Sequence, residues 1–409
     1  MLRWVIFIVI YGALAFYTLQ ALKTATKYPW AQYLFLFMTV FVAVNFIYQF
    51  TVGQDTGRVL NRPKSYALGF LFAVIAFQMV TILFLFSEDI FRLITAGYHK
   101  LSGRSASFSL PGRRRFLSII GLGIAALPFG ALLYGMYKGK YNFKVLKYTM
   151  EYDDLPDAFD GYQITQISDV HSGSFDNRKK IEYAIDLINQ QESDILLFTG
   201  DMVNNKTEEM HPWKELFGTL RAKDGMFSVL GNHDYGDYVD WDTPEAKQAN
   251  LDDLKILQKE IGLDLLLNES RYLEKDGERI ALIGVENWGK GGFKKAGDLQ
   301  KAKSAVGKDD FKILMSHDPS HWEEEVVPDD YHYHLTLSGH THGMQFGIEI
   351  PGWIKWSPVK WRYKQWAGIY EEAGQFINVN RGFGFLGYPG RFGIWPEITV
   401  ITLKKKPLT

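Results

Sequence analysis

Tyr162-Gln163-Ile164-Thr165-Gln166-Ile167-Ser168-Asp169-Val170-His171 is the stretch on which the reading of this chain turns. The run 162–167 predicts a strand, and it ends on a small residue, a carboxylate and an imidazole. The same grammar recurs downstream. A buried strand predicted at 195–198 ends in Gly200-Asp201, and one at 226–230 ends in Gly231-Asn232-His233-Asp234. Strands at 313–315 and 335–337 end in Ser316-His317-Asp318 and Gly339-His340-Thr341-His342-Gly343. Ligands of open α/β sheets sit beyond the carboxyl ends of strands, so these tips can converge on one site.

Between the strands lie stretches with helical spacing of apolar residues. Ile181, Ala184, Ile185 and Ile188 mark a helix over 177–190; helices are also predicted over 208–220 and 251–260. Further strands are expected at 265–267, 280–285, 376–380 and 398–403. Helices and strands alternate first and strands dominate later, which predicts a layered α/β domain with mixed sheets and helices outside, spanning 150–409.

The tips carry carboxylates, imidazoles and one amide, and the chain has no cysteine, so thiolate ligands and disulfides are excluded. That donor set suits Mn, Fe or Zn better than calcium or magnesium alone. Residues i and i+2 on an extended tip project the same way, so Asp169/His171 and His340/His342 each offer a pair. A carboxylate can bridge two cations about 3.5–4 Å apart.

Asp169-X-His171, Gly200-Asp201, Gly231-Asn232-His233-Asp234, His317 and Gly339-His340-Thr341-His342 together resemble the signature of the calcineurin-like metallophosphoesterases. The resemblance extends over about 157–404 and includes Asn380-Arg381-Gly382-Phe383-Gly384, Arg391 and Pro396-Glu397, as in a bacterial subfamily with a transmembrane or exported segment. It implies a four-layer αββα fold and two divalent metal ions. The first would be held by Asp169, His171, Asp201 and His342, the second by Asp201, Asn232, His317 and His340, with Asp201 bridging. His233 would face the substrate phosphate and assist the leaving oxygen, and Arg381 would approach the phosphate. Two positions depart from the family pattern. Asn204 stands where relatives often carry an aspartate that supports the catalytic histidine, and Met344 replaces a glycine after the last tip.

The first third of the chain has a different texture. Stretches 4–22, 31–50, 66–86 and 116–137 have no charged residue and are long enough to cross a bilayer, which takes roughly 20 apolar residues. They predict an all-α transmembrane region over 1–140. Arg92, Lys100, Arg104, Arg113, Arg114 and Arg115 lie in the third connection, Lys23 and Lys27 in the first, and Arg58, Arg62 and Lys64 in the second. The larger count on the side of connections one and three makes that side cytoplasmic. With an even number of spans, the hydrolase falls on the periplasmic or outer face of a bacterial inner membrane. Lys138, Lys140, Lys144 and Lys147 follow the fourth span and argue against this. Gly112-Arg113-Arg114-Arg115-Phe116-Leu117 resembles a twin-arginine export signal but also reads as a charged start to a helix. Residues 104–112 read as a linker.

After the last tip, Trp353, Trp356, Trp361 and Trp366 alternate with Lys355, Lys360, Arg362 and Lys364. Aromatic amphiphiles favour the water–lipid boundary and cations favour anionic headgroups, so this segment is expected either to rest on a membrane or to form a packed subdomain. A lipid-linked phosphodiester or pyrophosphate follows as substrate, in line with a resemblance to UDP-2,3-diacylglucosamine hydrolases of lipid A synthesis. The near-neutral net charge of -1 gives no sign of nucleic acid as a partner. The alternatives are an enzyme acting on soluble nucleotides or phosphate esters and a non-catalytic membrane sensor or scaffold.

Overall fold

The computed structural model describes residues 2–52, 59–102, 111–350 and 352–407. It divides into two compact units, the first ending at Tyr137 and the second taking in Lys138–Thr409.

The first unit holds four helices: α1 (Leu2–Ala25), α2 (Pro29–Val52), α3 (Arg62–Leu101) and α4 (Pro111–Tyr137). All are long and apolar enough to cross a membrane. Tyr11, Val42, Leu71 and Val74 form their shared core, with Phe7, Phe46, Ile75 and Phe129 against it. Asn61 caps α3 by accepting the Lys64 N–H.

That helix runs past the predicted span, so Arg92 and Lys100 are helical rather than in a connection, and Arg113, Arg114 and Arg115 stand in α4. The extension is held by charge. Buried Glu88 pairs with Arg92 and Arg113 at 3.0 and 2.9 Å, and Asp89 pairs with Arg114 at 2.7 Å and accepts from Tyr17. Two arginines of the export-like motif therefore serve as ion-pair partners at the start of a helix. Arg58, Arg104 and most of the linker at 104–112 lie outside the described residues.

The second unit contains two facing six-stranded sheets. Its strands are β1 (Lys144–Tyr152), β2 (Gln163–Ile167), β3 (Ile195–Phe198), β4 (Met226–Ser228), β5 (Asp264–Leu265), β6 (Glu269–Lys275) and β7 (Glu278–Val285). They continue with β8 (Lys312–Ser316), β9 (Leu335–Ser338), β10 (Ile348–Ile350), β11 (Ile354–Trp356), β12 (Gly368–Glu372), β13 (Gln375–Val379) and β14 (Glu397–Lys405). One sheet has the order β1-β14-β2-β3-β4-β5 and the other β12-β13-β9-β8-β7-β6, while β10 and β11 form a separate hairpin. Ile164, Ile195, Leu197 and Val229 of the first sheet side bury against Ile280, Leu282, Ile313, Met315, Leu335 and Leu337 of the second.

Helices α5 (Arg178–Asn189) and α7 (Pro244–Glu260) cover the outside of the first sheet through Ile181, Ile185, Ile188, Leu254 and Leu257. On the far side, the short α8 (Leu299–Ala302) and buried Trp322 cover the second. The four-layer αββα expectation is therefore met. The helix expected over 208–220 is instead two 3-10 turns and one helical turn, α6 (Lys214–Phe217). Pro212 sits inside that stretch, where a proline has no N–H to give and clashes with the preceding turn. β1 begins before residue 150 and pairs in parallel with β14 along its whole length.

Candidate metal centre

β2, β3, β4, β8 and β9 bring their carboxyl ends together, and the side chains named from the sequence meet there. β2 pairs in parallel with β3, and β3 with β4, which sets Asp169, Asp201 and Asn232 side by side. β8 and β9 are parallel neighbours in the facing sheet and bring in His317, His340 and His342.

The donor atoms fall into two outer groups joined by a third, His171, Asp201 and His233. In the first, His171 Nε2 lies 3.0 Å from His342 Nε2 and His342 Nε2 lies 3.2 Å from Asp169 Oδ1. In the second, Asp201, His317 and His340 each offer an atom within 4.8 Å of the others, with Asp201 Oδ2 3.1 Å from His317 Nε2. His340 Nδ1 stands 2.8 Å from Asn232 Oδ1. Asp201 Oδ2 belongs to both, since it is also 3.6 Å from His171 Nε2.

These separations fit divalent cations. Ligand bonds of about 2.0–2.1 Å set neighbouring donors roughly 3.0–3.4 Å apart around one ion. His317 Nε2 is buried and lies 3.1 Å from Asp201 Oδ2, a spacing that two ligands of one ion would show. Electrostatics agree. Burial opposes charge on His317, yet Asp201 and Asp169 raise it to about 10, so this spot favours positive charge. Burial also pushes up both carboxyls, but the imidazoles around them hold Asp169 and Asp201 well below the usual carboxylate range. Burial keeps His171 and His340 neutral, the form in which imidazole binds metal, with His340 down to about 4, while His317 would give up its proton to an ion.

A second layer orients the ligands. His317 Nδ1 bonds the Thr199 carbonyl at 2.7 Å, and His340 Nε2 bonds the Tyr363 hydroxyl at 2.8 Å. Asp234 accepts the N–H groups of Asp201, Met202 and Gly231 and so fixes the loop of the bridging carboxylate. The segment after β13 clips the first tip, with Phe383 N–H on the Ser168 carbonyl and Gly384 N–H on the Asp169 carbonyl, both at 2.8 Å. A Cβ on Gly384 would fall 1.9 Å from the Val170 carbonyl oxygen, so only glycine fits.

His233 stands with His171 and Asp201 in the joining group, each offering an atom within 4.8 Å of the others. Its N–H donates to Asp201 Oδ1 at 2.8 Å, and its Nδ1 lies 2.7 Å from the backbone carbonyl of Asn204. The Asn204 side chain bonds Ser174 instead, so support for the histidine comes from the main chain and neither Asn204's amide nor Asp234 supplies it. Arg381 does not reach the site. Its guanidinium is buried and held by half-buried Glu349 and buried Glu397, each at 2.5 Å, and these two carboxylates leave it no reason to turn toward a phosphate. The exposed cation beside the metal ligands is Arg362, over the rings of Phe293 and Tyr363. Tyr363 and Arg362 stood in the aromatic-basic segment of the sequence, but nothing local tied them to His340.

The site opens into a cleft of about 370 Å³, with Asp201, Asn232, His233 and His340 at its base. Phe293, Met344, Val359, Trp361 and Leu386 form an apolar wall.

The comparisons with known proteins agree with this geometry. A family model described as "Calcineurin-like phosphoesterase" matches residues 162–344. One described as "Probable Calcineurin-like phosphoesterase, transmembrane domain" matches residues 2–140. The metallophosphoesterase YkuE of Bacillus subtilis is 31% identical over 71% of this chain and 97% of its own length. This chain belongs to the calcineurin-like metallophosphoesterases. Such enzymes are metal-dependent phosphoester hydrolases, and this one is membrane-associated through its apolar helices. A metallophosphoesterase of Aquifex aeolicus is 27% identical over 68% of the chain and 99% of its own length. A transmembrane protein with a metallophosphoesterase domain from Danio rerio is 25% identical over 69% of the chain, which spans only 62% of that protein.

Proposed function

We propose that this metallophosphoesterase uses two divalent ions, Mn, Fe or Zn, to hydrolyse a lipid-linked phosphodiester or pyrophosphate. The observation that carries the reading is the shared position of Asp201 Oδ2 between two groups of donors. Asp169, His171, Asp201 and His342 would hold the first ion, and Asp201, Asn232, His317 and His340 the second. Ions bound there would supply Lewis acidity for activating a water and for neutralising charge on the phosphate oxygens.

The protein's own part is orientation and proton handling. Asn204's carbonyl holds His233 Nδ1, which leaves Nε2 for the leaving oxygen at the base of the cleft. Burial holds His233 below the ordinary imidazole value, against the pull of Asp201 and the Asn204 carbonyl toward the charged form. Negative charge developing on the leaving oxygen adds to the second effect, so the protonated fraction of His233 gives its Nε2 proton when the bond breaks. The lipid-linked substrate is supported by the membrane spans and by the apolar wall facing the ligands. The names of the relatives do not extend to lipid A chemistry or to manganese.

We place the hydrolase unit on the outer face of a bacterial inner membrane. The placement rests on the eight Lys and Arg of connections one and three against three in the second. A reporter fused after residue 409 that is active only in the cytoplasm would reverse the orientation.

Asp201→Asn and His233→Asn separate the roles. Asp201→Asn is expected to lose bound metal and hydrolysis together. His233→Asn should keep its metal and lose about 10²–10⁴-fold in turnover on nitrophenyl phosphodiesters. Unchanged turnover in His233→Asn would remove its role, and full metal content in Asp201→Asn would remove the bridge.

A further inference from the structure

The strand that leaves the last metal tip is inside out. Met344, Phe346, Ile348 and Ile350 are exposed, while Gln345 and Gly347 between them are buried and Glu349 is partly so. The inward polar residues are satisfied. Gln345 donates to the carbonyls of Tyr388 and Gly390, and Glu349 pairs with buried Arg381. Alternation is what a half-buried strand does, but here the apolar set faces away from the protein. The hairpin β10–β11 carries the pattern on to Trp353 at its turn, 77% exposed, and Trp361 follows at 75%. Among the described residues of the second unit, every exposed large apolar side chain except Tyr183 and Ile256 falls between Met344 and Trp361. The tryptophan segment is thus divided. Trp366 is core with Val359, Tyr363 and Ile394, and Trp353 and Trp361 are not.

A contiguous exposed apolar surface marks an interaction site. Its occupant follows from the chain itself. Residue 137 ends a membrane-spanning helix and residue 138 begins the second unit, so a bilayer lies within reach of that unit at all times. Exposed Lys360 and Arg362 flank Trp361 and make no ion pair among the described residues, which suits anionic headgroups. Tryptophan favours the headgroup level of a membrane.

We infer that Phe346, Ile348, Ile350, Trp353 and Trp361 enter the lipid–water interface of the bilayer that the chain's own helices cross. Met344 and Trp361 also line the cleft, so docking sets its mouth against the headgroups. This deepens the substrate class proposed above, but its test needs no turnover.

The chain has no cysteine, so one introduced thiol takes a spin label alone. Full-length Trp353→Cys and Ile350→Cys are labelled in vesicles of phosphatidylcholine and phosphatidylglycerol, with Ile256→Cys on α7 as the reference. Metal content confirms that each variant is folded. Both hairpin labels are expected to show a severalfold higher ratio of oxygen to nickel-chelate collisions than the label at 256. A ratio equal to that at 256 puts the hairpin in water and overturns the inference. Low collision with both reagents buries it against protein, such as a second copy, and overturns it equally.

Discussion

Asp169, His171, Asp201, His340 and His342 all hold left-handed backbone, with φ between 47° and 72°. None is glycine, and each such residue costs roughly 1–2 kcal/mol. Strain of this kind persists where the surroundings over-determine it, and here loops pinned by Asp234 and by the 380–384 segment do so. The turned backbone aims the side chains inward at the carboxyl ends of the strands. Orientation then depends on the second layer, of which Tyr363 is the clearest member. Its hydroxyl sits on His340 Nε2, and burial raises it to about 12, so it stays a neutral phenol. Tyr363→Phe is expected to weaken binding at the second ion by about 10–100-fold while leaving the first in place. Titration of the purified apoprotein with Mn or Zn would show one step moving; two unmoved steps would make Tyr363 mere packing.

At the scale of elements, the loop after β3 does what a helix was expected to do nearby. Glu209, in a 3-10 turn, accepts the N–H groups of Asn204 at 2.5 Å and Asn205 at 3.2 Å, and so holds the carbonyl that orients His233. Burial raises its carboxyl to about 7. The protonated form is therefore favoured in the folded state relative to the unfolded chain. The folded state binds more protons between the ordinary glutamate range and pH 7, so this contribution to stability is complete at low pH and is lost as pH rises through about 7. The loss amounts to about 3 kcal/mol, taking 1.4 kcal/mol per pH unit. Glu209→Gln removes that slope. Its melting temperature should fall behind wild type less, or rise above it, at pH 8 compared with pH 5; parallel profiles would show that Glu209 does not titrate in this window. The helix expected over 208–220 is cut to short turns because Pro212 has no N–H to give and its ring clashes with the preceding turn.

For the whole molecule, the metal centre ties strand tips of two different sheets together, so ions should stabilise the hydrolase unit as a body. A ligand that binds only the folded state adds about 2.7 kcal/mol at a hundredfold excess over its dissociation constant. Chelation is expected to abolish hydrolysis and lower the melting temperature of the second unit, with both restored by Mn or Zn. A melting temperature indifferent to chelation would mean that the buried carboxylates and imidazoles satisfy one another without cations.

Much of this protein is written locally. Spans of apolar residues, strand runs ending in Asp, Asn, His and Gly, and the order of those tips depend on periodicity and composition, which a linear reading detects. The edge strands β1, β6 and β12 escaped it, because edges face solvent and carry polar residues such as Glu269 and Lys275 that blur alternation. Three assignments belong to tertiary structure alone: Arg381 turned away to Glu349 and Glu397, Asn204 acting through its carbonyl, and the inside-out strand from Met344 to Ile350. Each depends on which groups lie across the fold from one another, and partners brought together over long sequence distances leave no mark on the residues between them.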